Sequence, residues 1–150
     1  MRGMLFVHET LLQASPGAVF AFHERPDALK LLVPPWEKVE VVRPPASLQP
    51  GTRVLLRMHA GPFSTLWEAE HTLLQPGVLF QDKMVRGPFK QWLHTHRFLP
   101  AAGGACLLRD EVELQLPLWM LPGAPLALRK LRRMFEYRHA VTRAAVEAPR

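Results

Sequence analysis

The spacing of hydrophobic positions changes its period along the chain and divides it into elements. Residues 4–13 form an extended run with Phe6 and Val7, which predicts a first strand. Ser15-Pro16 is a helix start, because Ser caps free amides and Pro suits the first helical position. A short helix over 16–24 carries Val19, Phe20 and Phe22, and Pro26 interrupts it. A second short helix covers 26–32 and stops at Pro34-Pro35. Six alternating segments follow at 37–43, 52–60, 64–74, 77–86, 89–99 and 105–116. Gln49-Pro50-Gly51, Gly61-Pro62, Gln75-Pro76-Gly77, Gly87-Pro88 and Gly103-Gly104 separate them. Connections this short imply antiparallel neighbours. The final helix, 124–147, carries Leu131, Met134, Phe135, Arg138, Val141, Thr142 and Ala145 at 3–4 spacing. The order predicts an α+β domain with one sheet and one helical layer.

Strand residues alternate faces, so the pattern also predicts which side chains turn inward. Glu68 and Glu70 outward put Trp67, Ala69, His71 and Leu73 inside. Gln81 and Lys83 outward put Phe80, Asp82 and Met84 inside. Arg53 and Arg57 outward leave Val54, Leu56 and Met58 inside. The bulky set Trp92, His94, His96 and Phe98 faces inward, as do Leu108, Asp110, Val112, Leu114 and Leu116. A hairpin turn at 101–104 sets His96 opposite Asp110, His94 opposite Val112 and Trp92 opposite Leu114. It also sets Arg97 opposite Arg109 on the outer face, a mild cost.

Composition narrows the class. The 150 residues make one domain, 1–150, long enough for its own core. The single cysteine, Cys106, excludes a disulfide scaffold or a zinc ribbon, and it reads as a buried, inert thiol. Ile and Asn are absent and Arg outnumbers Lys 14 to 5, which fits a GC-rich genome and, with 15 prolines, a thermophile. The net charge of +6 is concentrated after residue 126, in Arg129, Lys130, Arg132, Arg133, Arg138, Arg143 and Arg150. No nucleic-acid-binding motif accompanies that stripe, so it reads as a solvated helix face. Early charge at Arg2 argues against a secretory segment, and Pro117, Pro122 and Pro125 break the longest uncharged C-terminal stretch. A cytoplasmic protein is expected, as a monomer or homodimer.

Several phrases carry a resemblance. They are His23-Glu24-Arg25-Pro26-Asp27-Ala28-Leu29, Pro34-Pro35-Trp36-Glu37, Gly87-Pro88-Phe89 with Trp92, His94-Thr95-His96-Arg97-Phe98 and Arg109-Asp110-Glu111-Val112. With the element order, they resemble the START-like, birch-pollen-allergen-like (SRPBCC, polyketide cyclase/dehydrase-like) superfamily across essentially the whole chain. The resemblance implies a helix-grip fold: a curved antiparallel sheet of about seven strands wrapped around the long C-terminal helix, with two short helices after strand 1. It also implies a cavity between sheet and helix for an apolar ligand. Members include carriers, cyclases, hydrolases and receptors, so the fold does not choose the function.

The inward residues define the candidate site. Met58, Trp67, Met84, Trp92, Phe98 and Met134 would supply apolar contact. His71, His94, His96, Asp82 and Asp110 would form a polar end, and Arg138 could meet an acidic group or reach to the rim with its head in water. Three readings fit. Asp110 and His96 satisfy each other and fix the hairpin register. The polar end binds a small hydrophobic or amphipathic ligand: a lipid, quinone or polyketide-like compound. An Asp110–His96 pair acts as general base in a cyclase or dehydratase. His94-x-His96 is a weak metal signal without a third placed ligand, and neither metal nor cofactor is expected. The run Leu116-Pro117-Leu118-Trp119-Met120-Leu121-Pro122-Gly123 either closes the core or serves as a docking loop for a partner or, transiently, a membrane. With the basic helix it could instead make the chain a protein-interaction module.

Overall fold

The computed structural model describes residues 3–147; Arg2 and Arg150, which entered the charge reading, lie outside that range. The elements are β1 (Met4–Leu12), α1 (Pro16–His23), α2 (Ala28–Leu32), β2 (Lys38–Arg43), β3 (Arg53–Ala60), β4 (Phe63–Gln75), β5 (Leu79–Arg86), β6 (Gln91–Pro100), β7 (Cys106–Gln115) and α3 (Ala124–Val146). Ser15 caps α1 as expected, its Oγ accepting from the Ala18 amide at 3.1 Å, with Pro16 at the first helical position. Such a cap contributes about 1 kcal/mol. Gly103 and Gly104 turn β6 into β7 with φ of 74° and 76°, where a Cβ would be strained.

All strand pairs are antiparallel, in the order β1-β7-β6-β5-β4-β3-β2. The chain leaves β1, crosses through α1 and α2 to the far edge at β2, and meanders back until β7 closes against β1. The fold is therefore the α+β helix-grip arrangement of seven antiparallel strands with one long helix, which packs against α1, α2 and β1. No helix among the described residues is long and apolar enough to cross a membrane.

The β6–β7 register has His96 opposite Asp110, His94 opposite Val112 and Trp92 opposite Leu114, as the turn position predicts. Parity fails at one place. The register shifts between His71 and Leu73, so Leu73 turns to solvent and Leu74 packs inward. A bulge adds one residue to one strand and inverts the alternation beyond it. The opposition of Arg97 and Arg109 proves harmless, because Glu111 Oε1 accepts from both, at 2.8 and 2.7 Å.

The core divides into two apolar clusters. One holds Phe6, Trp92, Val112, Leu114, Leu116, Leu131 and Phe135 at the end where β7 leaves the sheet. The other holds Leu12, Val19, Phe20, Phe80, Phe98, Cys106 and Leu108 near the β6–β7 turn. The loop after β7 divides its work. Met120 and Leu121 pack on the first cluster, but Leu118 and Trp119 stand in solvent. The expectation that the 116–123 run closes the core therefore holds for Leu116, Met120 and Leu121 and fails for Leu118 and Trp119.

Candidate functional site

Between the clusters lies a belt of buried polar side chains centred on Asp110. His94 Nε2 donates to Asp110 Oδ1 at 2.7 Å, and His139 Nε2 donates to Oδ2 at 2.5 Å. His96 Nδ1 is 3.1 Å from Oδ1, and its Nε2 donates to Asp82 Oδ2 at 3.2 Å. Nδ1 of His139 sits 2.7 Å from the Thr10 hydroxyl, which donates to it when Nε2 carries the proton. Ring stacking continues the belt: His94 lies on His96 with centroids 3.7 Å apart, and Phe80 covers the other side of His96 at 3.9 Å.

The register explains most of this convergence. His94, His96 and Asp110 face inward from adjacent strands, and Asp82 on β5 lies opposite His94. His139 comes from α3, on the buried line Leu131, Phe135, His139 and Thr142. That line runs through His139 while Ala145 is exposed, so the predicted stripe was displaced at its C-terminal end. The i, i+4 step from Phe135 was the signal that finds His139.

Electrostatics follow from burial and partners. Burial opposes charge on Asp110, but hydrogen bonds from His139, His94 and His96 outweigh it and hold the carboxyl well below the usual range. Burial likewise opposes charge on Asp82, and His96 first among its neighbours draws its pKa down. Burial also works against a charged His96, yet Asp110 and then Asp82 raise its pKa. His94 moves the other way, lowered by burial and by the neighbouring His96. His96 is thus set between two carboxylates, which favour its charged form. Both of its nitrogens face carboxylate oxygens, which leaves no free lone pair for the general-base role. The Asp110–His96 contact exists, but within a larger hub rather than as an isolated dyad.

Two interior polar atoms stand apart from this satisfied network. Arg138 on α3 has a buried Nε with no hydrogen-bond partner, and its guanidinium lies 5.6 Å from the Phe135 ring centre. Burial lowers its pKa, with Asp110 and Asp82 acting against that. The residue as a whole is only half-buried, which is compatible with a packed stem and a head at the rim. His71 Nδ1 on β4 is also buried without a well-formed partner, although the Gln81 carbonyl is near. Burial lowers the pKa of His71.

The apolar candidates fall into two environments. Trp67 meets Trp92 edge-on at 5.0 Å, and Met84, Met134 and Phe89 pack beside them. Trp67, Met84 and Met134 face the interior yet remain partly accessible to solvent, as does Met58 on β3. Phe98 lies at the sealed end, between Phe20 and Phe80, under α1. Two shallow concavities, about 580 and 560 Å³, lie elsewhere, along the first half of α3 and the start of β1. They share Leu128 and Arg132, and none of the residues expected to bind ligand lines them.

Sequence reading passed over His23. Its Nδ1 donates to the Val19 carbonyl at 2.9 Å, and its ring packs on Phe80, Phe98 and His96. Burial, then the charge of His96, pushes its pKa down to about 4. Cys106 is buried as expected, and burial pushes its thiol up to about 11.

Asp82, His94 and His96 bring ligand atoms within 4.8 Å of one another, the only such group among the described residues. Yet His94 Nε2 and His96 Nε2 already donate to carboxylates, so a metal would have to displace hydrogen bonds that satisfy the belt.

The sheet wrapped on one long helix, with an inward belt of polar groups between apolar clusters, defines the helix-grip class. Residues 12–138 match the family described as polyketide cyclase/dehydrase and lipid transport, and the chain belongs to that family. No curated protein matches it in sequence. Among solved structures it is similar to a protein from Thermus thermophilus at 19% identity and a TM-score of 0.74, covering 97% of this chain and 98% of that one. Norcoclaurine synthase from Thalictrum flavum, in complex with dopamine and hydroxybenzaldehyde, is similar at 18% identity and 0.72, covering 99% and 89%. A START superfamily protein from Mycobacterium smegmatis is similar at 14% identity and 0.69, covering 95% and 97%. These likenesses establish the fold alone.

Proposed function

We propose that the chain binds a small, mainly apolar molecule carrying an anionic or carbonyl oxygen, such as a lipid, quinone or polyketide-like compound, between the concave sheet and α3. The observation that carries this reading is Arg138: a partly buried guanidinium whose Nε has no partner, on the helix that faces the sheet. An unsatisfied buried donor costs about 1–3 kcal/mol, and an oxygen of a bound molecule would remove that cost. His71 Nδ1 offers a second unsatisfied atom from the sheet side. The inward but solvent-accessible Trp67, Met84 and Met134 suit an adaptable apolar wall. The small aromatics held by norcoclaurine synthase agree with a ligand of this size.

Mass spectrometry of an organic extract, against a mock purification, tests the proposal. A stoichiometric species in the wild type that Arg138→Met fails to retain is the expected result. Thermal shift with a long-chain fatty acid and a naphthoquinone is the companion measurement, because saturation at a hundred times Kd adds about 2.7 kcal/mol. An empty extract together with no shift from either probe overturns the reading.

A further inference from the structure

Antiparallel pairing brings the start of β1, the start of β6, the end of β5, the β3–β4 turn and the loop after β7 to one end of the sheet. Every large apolar side chain that is more than half exposed, among the described residues, belongs to that end. They are Trp119 and Leu118 at 76%, Phe63 at 75%, Leu5 at 61% and Leu126 at 57%. At the opposite end no large apolar side chain passes half exposure; Val78 and Leu11 reach only 48%. Scattered exposed hydrophobes need no explanation, but confinement to one rim does.

Charge marks the same rim. Arg86 and Lys90 flank the β5–β6 turn, and Arg129, Lys130 and Arg132 follow on the first half of α3, all exposed. None of the five makes an ion pair among the described residues. The two shallow concavities also open here, lined by Leu126 and Leu128 with Arg129 and Arg132. Apolar tips beside unpaired cations complement a bilayer bearing anionic headgroups, whose negative surface potential attracts basic residues near it. A neutral protein groove would leave those cations unanswered. We propose that this rim docks reversibly on anionic membrane surfaces, with Trp119 and Leu118 inserting at the headgroup level and the α3 cations meeting lipid phosphates or carboxylates. The docking does not depend on whether the interior holds a ligand.

Flotation with phosphatidylcholine vesicles, with and without phosphatidylserine, tests it on the full chain. Binding is expected only to the mixed vesicles, and raising the salt should release it. Brominated lipids in those vesicles should quench tryptophan fluorescence in the wild type and much less in Trp119→Ser. The double variant Leu118→Ser/Trp119→Ser should bind about tenfold or more weakly while its unfolding curve stays unchanged, since both side chains are in solvent. Val78→Ser at the opposite end should bind as the wild type does. Absence of binding to the mixed vesicles overturns the proposal, as does binding that the double variant leaves intact. So does a dimer in analytical ultracentrifugation that the double variant dissolves, because a second copy would then be the occupant.

Discussion

Residues 110 and 111 are neighbours on β7, and each is a carboxylate that gathers partners from adjacent elements. Glu111, on the outer face, accepts from Arg97 and Arg109, and Arg109 reaches on to Glu9. Asp110, on the inner face, accepts from His94 and His139 and contacts His96. The distances are alike and the consequences are not. Water screens the outer set and can replace any lost partner, so its worth is near 1 kcal/mol or less. Inside, a lost partner leaves a charge or an N–H with nothing to replace it, and the cost rises to several kcal/mol. Exposure decides the energetics more than geometry does.

The sharpest break in this comparison is Asp110→Asn. It removes the charge that three imidazoles share and should lower stability by about 3–5 kcal/mol. A fall in the urea midpoint at unchanged m-value reads it. If the loss stayed within about 1 kcal/mol, the inner hub would be no different from the outer one.

Acid should separate the two faces next. His23 is held near 4 against an unfolded value of 6.5, so the unfolded chain takes up a proton first as pH falls between those values. Its stabilisation is complete above 6.5 and drains away down to about 4. His8, His71 and His94 are lowered in the same sense. His96 is raised and acts oppositely: its contribution is complete below 6.5 and fades as pH rises through its folded pKa. Four lowered against one raised predicts a net loss of stability from about pH 7 to about pH 4. His23→Phe should flatten that loss by about 2 kcal/mol, allowing for partial solvent access. Unfolding midpoints at several pH values check the slope.

Arg138→Met then tests the unpaired member of the interior. Removing a half-buried cation whose Nε has no partner should change stability by no more than about 1 kcal/mol, and toward higher stability. Loss of bound molecule with a retained or raised Tm is the signature of a group kept for ligand rather than for fold. The smallest effect belongs to Glu111→Ala, about 0.5–1 kcal/mol, shrinking further in high salt. Urea melts at two salt concentrations are sufficient.

The sheet was readable because Pro-Gly and Gly-Pro turns punctuate it and the charged residues mark its outer face. One turn position, at 101–104, was enough to set His96 against Asp110. What escaped was whatever depends on departures from period or on contacts between distant elements. The bulge after His71 reversed the side expected of Leu73. His139 and His23 lie on helices, where a histidine beside Phe135 or Phe22 looks like part of a mixed surface until the sheet is placed beneath it. The two atoms that now carry the ligand proposal, Arg138 Nε and His71 Nδ1, stand out only once every neighbouring hydrogen bond has been assigned.

Cys106 gives the sealed end a use of its own. Its sulfur is wholly enclosed by the second cluster, and its raised pKa keeps it protonated at neutral pH. A thiol reagent therefore meets nothing to modify until the packing around β7 opens, and the chain offers no second sulfhydryl to blur the signal. Labelling kinetics on the unaltered protein then count openings of this end one molecule at a time. Agreement with the global unfolding rate identifies the whole sheet as one cooperative unit, and faster labelling singles out the β6–β7 turn as a separately breathing segment.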